Sequence, residues 1–228
     1  MNRSTLIHLR EINKTFYDPK SHTHFEILQG INLDIIEAES LAICGTSGEG
    51  KSTLLHLLGL LDKPTSGKIS FPLWPEISSN AIRANYMGFI FQSFHLLEDL
   101  SVEDNVMLSA LINKDLFRPN HHLKQQANEL LKLVGLSSRA KINASRLSGG
   151  EKQRCAIARA LFMKPKILFA DEPTGSLDHH TASYIADLLF KVCTEYQISL
   201  VLVTHNDQLA NHCCKKMRLT GGKVLPFD

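Results

Sequence analysis

The chain has 228 residues, enough for one sizeable core and, at about 150 residues per domain, one or two domains. Its 25 basic and 23 acidic residues nearly cancel, which argues against a nucleic-acid footprint or an anionic membrane surface. Five cysteines without C-x-x-C spacing argue against a disulfide framework or a zinc site and fit a reducing cytosol.

The longest apolar stretches, 54–61 and 200–203, fall far short of the roughly 18–20 residues that cross a bilayer, and the amino-terminal segment carries no signal-peptide core. A membrane role is therefore expected to come through a partner. Within residues 4–43, Ile31, Leu33 and Ile35 alternate with Asn32 and Asp34, the period of a strand with one wet face, and predict an antiparallel sheet. Residues 40–44 read as a short buried strand running into glycines, after which Leu54, Leu55, Leu57, Leu58 and Leu61 fall at helical spacing. The sequence at 64–67 is expected to break that helix, and the prolines at 72 and 75 keep 71–75 out of a central strand.

Residues 87–92 predict a buried strand ending in a polar residue. From 101 to about 146 the texture becomes helical: Ser101 and Asp104 suit a cap, and Leu123, Ala127, Leu130, Leu131 and Val134 share a face that Gly135 stops. Another helix is expected over 151–163, with Pro165 beyond it. Buried strands at 167–170 and 198–204 flank a helix carrying Ile185, Leu188, Leu189 and Val192. Apolar strands alternating with helices predict a parallel sheet with ligands at its strand carboxyl ends. The eleven histidines are scattered, and the pairs His121, His122 and His179, His180 lack the i, i+4 spacing of helical metal ligands, so they read as solvated surface.

Gly45, Thr46, Ser47, Gly48, Glu49, Gly50, Lys51 and Ser52 match G-x-x-x-x-G-K-S/T in full, between a predicted strand and a predicted helix. Glycines there let successive backbone N–H groups turn toward phosphate oxygens at a helix amino terminus. Lys51 is expected to neutralise β- and γ-phosphate charge, Ser52 to ligate Mg²⁺, and Thr53 to hold the α- or β-phosphate of ATP. Glu49 is the odd residue, since an acid inside an anion cradle costs electrostatic energy unless its side chain points outward; Glu49→Ser is expected to tighten ATP binding. Asp171 and Glu172 close the apolar run 166–170. Asp171 is placed to hold Mg²⁺, and Glu172 to orient or deprotonate the attacking water.

The run LSGGEKQR at 147–154 decides among the nucleotide-hydrolysing folds, because it resembles the signature of ATP-binding cassette proteins. That resemblance covers essentially the whole chain. It implies an α/β P-loop NTPase cassette of one domain over 1–228, with a mostly parallel sheet core, an N-terminal antiparallel β subdomain and a helical signature subdomain at about 93–150. It further implies that Gln92 senses Mg²⁺ and the attacking water, that His205 contacts the γ-phosphate, and that Asp178 lies on the loop crossing a dimer interface. Phe16 resembles the aromatic that stacks on adenine, with the neighbouring Tyr17 as the alternative. Members of the family usually have a small residue where Glu49 stands.

Ser148, Gly149 and Gly150 open a helix whose donors suit a γ-phosphate, yet the chain's own phosphate loop occupies a different helix terminus. The resemblance therefore implies a C2 pair, a second ATPase subunit completing each site in trans, with integral-membrane permease subunits attached. The surface after Gln92, with Phe94, His95, Leu96 and Leu97, is expected to meet them. Among cassettes the chain is most similar to the lipoprotein-releasing and macrolide-exporter group, on KSTLLHLLG at 51–59, LDKPTSG at 61–67, GFIFQ at 88–92 and ADEPTGSLD at 170–178. That implies an ATPase peripheral to the cytoplasmic face of a bacterial inner membrane, driving the extraction of lipoproteins that it reaches only indirectly. Ser176 stands where Asn is common, and 70–85 is short. Rival readings are a macrolide or peptide exporter, a cell-division cassette, a non-transport cassette and a phosphate-loop kinase.

Overall fold

The computed structural model describes residues 3–20, 22–112 and 121–227. In chain order its elements begin with β1 (Thr5–Asp18), β2 (Thr23–Ile36), β3 (Ser40–Cys44), α1 (Lys51–Leu58), β4 (Ser66–Ser70), α2 (Ser79–Tyr86) and β5 (Met87–Ile90). They continue with α3 (Val102–Ile112), α4 (His121–Leu133), α5 (Gly149–Leu161), β6 (Ile167–Asp171), α6 (His179–Glu195), β7 (Ser199–Thr204), α7 (Asp207–Ala210), β8 (Lys215–Thr220) and β9 (Lys223–Pro226). The residues gather into two compact units, Met1–Arg83 with Gln197–Asp228, and Ala84–Tyr196.

In the first unit, the alternation at Ile31, Leu33 and Ile35 lies on β2, where all three side chains are buried. β2 pairs antiparallel with β1 in the register Leu9↔Leu33 and Phe16↔Phe25, and β4 joins the other edge of β1 through Leu9↔Ile69. The same unit holds a parallel run in which β3 lies between β7 and β8, with β9 folded back antiparallel on β8. All six β7 residues are buried, as are Leu41, Ala42, Ile43 and Cys44 of β3, so these strands read as continuous apolar runs.

Helix α1 stops sooner than the sequence led us to expect. Gly59 caps it, its N–H reaching the Leu55 carbonyl, and Leu60 turns into the left-handed region at φ 57°, which swings Leu61 out into solvent. Four further elements carry too little periodic signal to be read locally. β4 is mostly exposed and owes its form to pairing with β1; α2 buries only Ile82; and β8 and β9 are short, largely exposed strands in which Leu219 alone is fully buried.

In the second unit, β5 and β6 are parallel, with Phe89 and Phe169 stacked at 5.4 Å between centroids. Helix α5 lies hard on β5: a Cβ on Gly88 would come within 2.5 Å of the Ala160 carbonyl oxygen. Helices α3, α4 and α5 pack on one another, and Val102, Val106, Met107, Leu123, Ala127, Leu131, Ala156 and Ile157 are buried along them. Burying each such Leu, Ile, Val or Met side chain contributes about 1.5–3 kcal/mol. Ser101 caps α3, its hydroxyl accepting from the Asp104 N–H at 3.1 Å, and Gly135 takes φ 68° just past α4, both as the sequence predicts. Asn105 is fully buried and satisfied by backbone, accepting from the Leu97 N–H at 2.8 Å and donating to the Leu97 and Ser101 carbonyls.

Candidate nucleotide site

In the first unit the phosphate loop bridges the end of β3 and the start of α1. Gly50 is the N-cap residue of α1 at φ 93°, without a side-chain cap, so the first N–H groups of the helix stay open to an anion. Two of its glycines also answer to packing: a Cβ on Gly45 would lie 2.5 Å from the Leu219 carbonyl oxygen, and one on Gly50 would lie 2.5 Å from Ile27 Cγ2. Lys51 is only 8% exposed, and its Nζ donates to the Thr46 carbonyl at 2.9 Å across the loop. Ser52 is exposed on the first turn of α1 and Thr53 is half-buried beside it.

Glu49 turns its carboxylate out of the cradle. Oε2 accepts from the Gly221 N–H at 2.9 Å and Oε1 from the Thr46 hydroxyl at 3.3 Å, so the acid ties the loop to the turn between β8 and β9. The Gly221, Gly222 pair marks that turn in the sequence; nothing local to Glu49 tells that it would reach there.

Phe16 and Tyr17 stand on opposite faces of β1. Phe16, 38% exposed, stacks on Phe25 at 6.1 Å, with the Lys14 ammonium 4.9 Å from its ring; Lys14 also pairs with Asp62 at 2.7 Å, beyond the end of α1. Tyr17 leans instead on His24 at 5.0 Å and shares a 2.9 Å hydrogen bond with His22. His205, exposed, follows the last residue of β7 in the same unit.

The second unit carries the acids. Asp171 ends β6, and Glu172 follows it in the left-handed region at φ 45°, both half-buried. A turn closes behind them, the Gly175 N–H donating to the Glu172 carbonyl at 3.1 Å. Gln92 is exposed two residues beyond β5, and its Nε2 would lie 3.3 Å from a Cβ on Gly175, so the amide is brought against the segment that holds the acids. Among the described residues no group of three or more His, Cys, Asp and Glu could by itself hold a metal.

Ser148 caps α5 in a reciprocal box: its hydroxyl accepts from the Glu151 N–H at 3.3 Å, and Glu151 accepts from the Ser148 N–H at 2.9 Å. That second bond, with the Ser148 hydroxyl and Arg139, holds the Glu151 carboxyl below its ordinary range. Ser148 and Gly149 are exposed, and they border an open cleft of about 610 Å³ shared with Arg154, Asp178, Thr181 and Tyr184. Asp178 doubles as the cap of α6, accepting from the Thr181 N–H at 3.0 Å; bonds from the Thr181 hydroxyl and N–H hold its carboxyl low. The second unit thus brings Gln92 to the loop after Glu172, and Asp178 to the signature.

Two residues that the sequence did not single out support these groups. Gln153, fully buried, donates to the Pro173 carbonyl at 2.6 Å. Arg159 donates to the carbonyls of Phe94 and His95, which both stand at positive φ just past Gln92. Burial pushes the Arg159 guanidinium pKa down. Both side chains lie inside the signature helix, where charge and amide groups pointing inward are the one available signal.

A family model described as ABC transporter matches residues 28–175. The chain is 45% identical over 224 residues to the lipoprotein-releasing system ATP-binding protein LolD of Protochlamydia amoebophila, covering 97% of each chain. It is 42% identical to the protein of the same name from Syntrophus aciditrophicus, over 96% of this chain and 99% of that one. Among solved structures it is similar to the ATP-binding cassette MJ0796, in a dimeric post-hydrolysis state bound to ADP and Pi, with a TM-score of 0.85, 34% identity and 96% of each chain covered.

Proposed function

The chain belongs to the ABC transporter family, and from that premise we propose that it is the ATPase subunit of a lipoprotein-releasing transporter on the cytoplasmic side of a bacterial inner membrane. It is an ATP-hydrolysing transporter subunit, and no helix among its described residues is long and apolar enough to cross a membrane. The lipoprotein assignment rests on relatives of that name matched along almost the full chain. The observation that carries the mechanism is the exposed, glycine-bearing start of α5, in a chain with one phosphate loop and one such signature.

In this reading ATP lies between the phosphate loop of one subunit and Ser148, Gly149 and Gly150 of a second copy, with Asp178 at the same interface. Gly45, Thr46, Ser47, Gly48, Glu49 and Gly50 offer backbone N–H groups, Lys51 neutralises phosphate charge and Thr53 steadies it. Phe16 stacks on the adenine, since it shares its strand face with Lys14 while Tyr17 is engaged with histidines on the other. Glu172 takes a proton from the attacking water, and His205 and Gln92 hold the γ-phosphate and that water in line. Ser52, Asp171 and Gln92 each offer an oxygen donor, chemistry that fits Mg²⁺; they would hold the ion, which when bound would draw charge from the phosphate oxygens. ATP closes the pair, loss of the γ-phosphate releases it, and permease subunits docked at the surface after Gln92, where Leu97 is 49% exposed, receive the movement.

The test is the full-length chain co-purified with its membrane subunits and supplied with lipoprotein-loaded vesicles. ATP-dependent lipoprotein release is expected, and Glu172→Gln should keep ATP binding while lowering hydrolysis by about 10²–10⁴-fold. Release of another cargo class by the co-purified complex would reassign the transporter; undiminished hydrolysis in Glu172→Gln would overturn the assignment of the base.

A further inference from the structure

Gln153 is polar and fully buried on α5. Its Nε2 donates to the Pro173 carbonyl at 2.6 Å, while its Oε1 is buried with no hydrogen-bond partner. An unpaired buried amide oxygen is costly, and an apolar side chain of similar length would fill the same space without that cost. What no apolar residue supplies is the bond to Pro173.

Pro173 directly follows Glu172, which stands in the left-handed region at φ 45°. A residue with a Cβ keeps that backbone only where its surroundings fix it. The Gly175 N–H fixes the Glu172 carbonyl, and Pro173 has no N–H of its own to add. The first turn of α5 seats on the same segment: a Cβ on Gly149 would come 3.4 Å from Leu177 Cδ2, and one on Gly150 would come 2.4 Å from Thr181 Cγ2.

We infer that Gln153 is a positioning residue for Glu172: by holding the Pro173 carbonyl it sets the direction of the carboxylate and couples it to the helix whose start covers the partner subunit's nucleotide. The inference rests on the role proposed above for Glu172. Loading the cap at Ser148 then steadies the base of the same chain, which acts on the other nucleotide, so the two sites of a pair communicate through about 1.4 turns of one helix, the roughly five residues from Ser148 to Gln153.

The test uses the full chain with its membrane subunits, comparing Gln153→Met, Glu172→Gln and the double variant. Gln153→Met fills the same space without the donor; it is expected to bind ATP within about twofold of the parent and to lose about ten- to a hundredfold in kcat. Added to Glu172→Gln it should cost nothing more, because the group it positions is already gone. A folded Gln153→Met protein with unchanged kcat, or full additivity in the double variant, overturns the inference, whereas full activity of Glu172→Gln overturns the role of the base itself. If Gln153→Met fails to fold, Gln153→Glu decides. Its protonated carboxyl can donate to Pro173 as the amide does, so its kcat relative to the parent should rise as pH falls. A ratio independent of pH overturns the inference.

Discussion

Glu49 shows how one side chain can carry two opposed effects. Its charge stands beside a phosphate cradle, which disfavours an anion, yet its two oxygens tie Thr46 to the Gly221 N–H and so hold the loop in shape. Glutamine separates these effects, because its amide oxygen still accepts while the charge is gone. Glu49→Gln is expected to tighten ATP binding about three- to tenfold, the size of a partly screened unit charge near several phosphate charges. Glu49→Ala, which also cuts the tether, should gain less. Calorimetric titration with a nonhydrolysable ATP analogue measures both, and equal or weaker binding by the Gln variant would show that the charge does not reach the phosphates. The phosphate loop, the acids 171 and 172 and the signature were legible in the sequence because each has fixed spacing against a strand or helix terminus. Glu49's tether, Gln153 and Arg159 were not, since their partners lie far along the chain at 221, 173 and 94–95.

Helix α5 begins in a capping box, and that box titrates. The Glu151 carboxyl is held below its ordinary value first by the Ser148 N–H, then by the Ser148 hydroxyl and Arg139. Because the folded value is depressed, this bond stabilises fully above the unfolded carboxylate range, about pH 4.5, and is lost as pH falls through the lower folded value. Glu151→Gln should therefore lose stability at pH 7 and converge with the parent as the pH falls from the unfolded carboxylate range through the lower folded value, as followed by thermal unfolding across that range. A constant difference at every pH would place the Glu151 contribution in packing instead. Elements with strong periodicity, such as β3, α4, α5, β6, α6 and β7, were readable because their apolar residues repeat at 2 or 3.6 or run unbroken. β4, β8 and β9 were not, being short, largely exposed strands that exist through pairing with β1, β3 and each other. The short α2 buries a single Ile82, too little for a period to register.

The whole chain carries five free thiols, and the fold sorts them. Cys44, Cys155, Cys193 and Cys213 are buried, and burial pushes the thiols of Cys155 and Cys213 up to about 12. Cys214 is exposed, and the Ser40 hydroxyl bonded to it draws its pKa down. A neutral alkylating reagent should thus label one thiol in the native protein, at Cys214, and five after denaturation, as read by intact mass. Rapid native labelling of a second site would mean that one of the buried strands or helices opens readily.

A start of α5 that covers the nucleotide of a second copy, as proposed above, has a genetic consequence. In the proposed pair, each site takes its base from one subunit and its lid from the other, so Glu172→Gln and Ser148→Arg disable different halves. Either variant alone spoils both sites of a pair. Mixed together they assemble pairs with one site carrying both defects and the other carrying none, and co-expression should restore up to about a quarter of parental ATP turnover. Silence from the mixture is what a site completed within a single polypeptide would give.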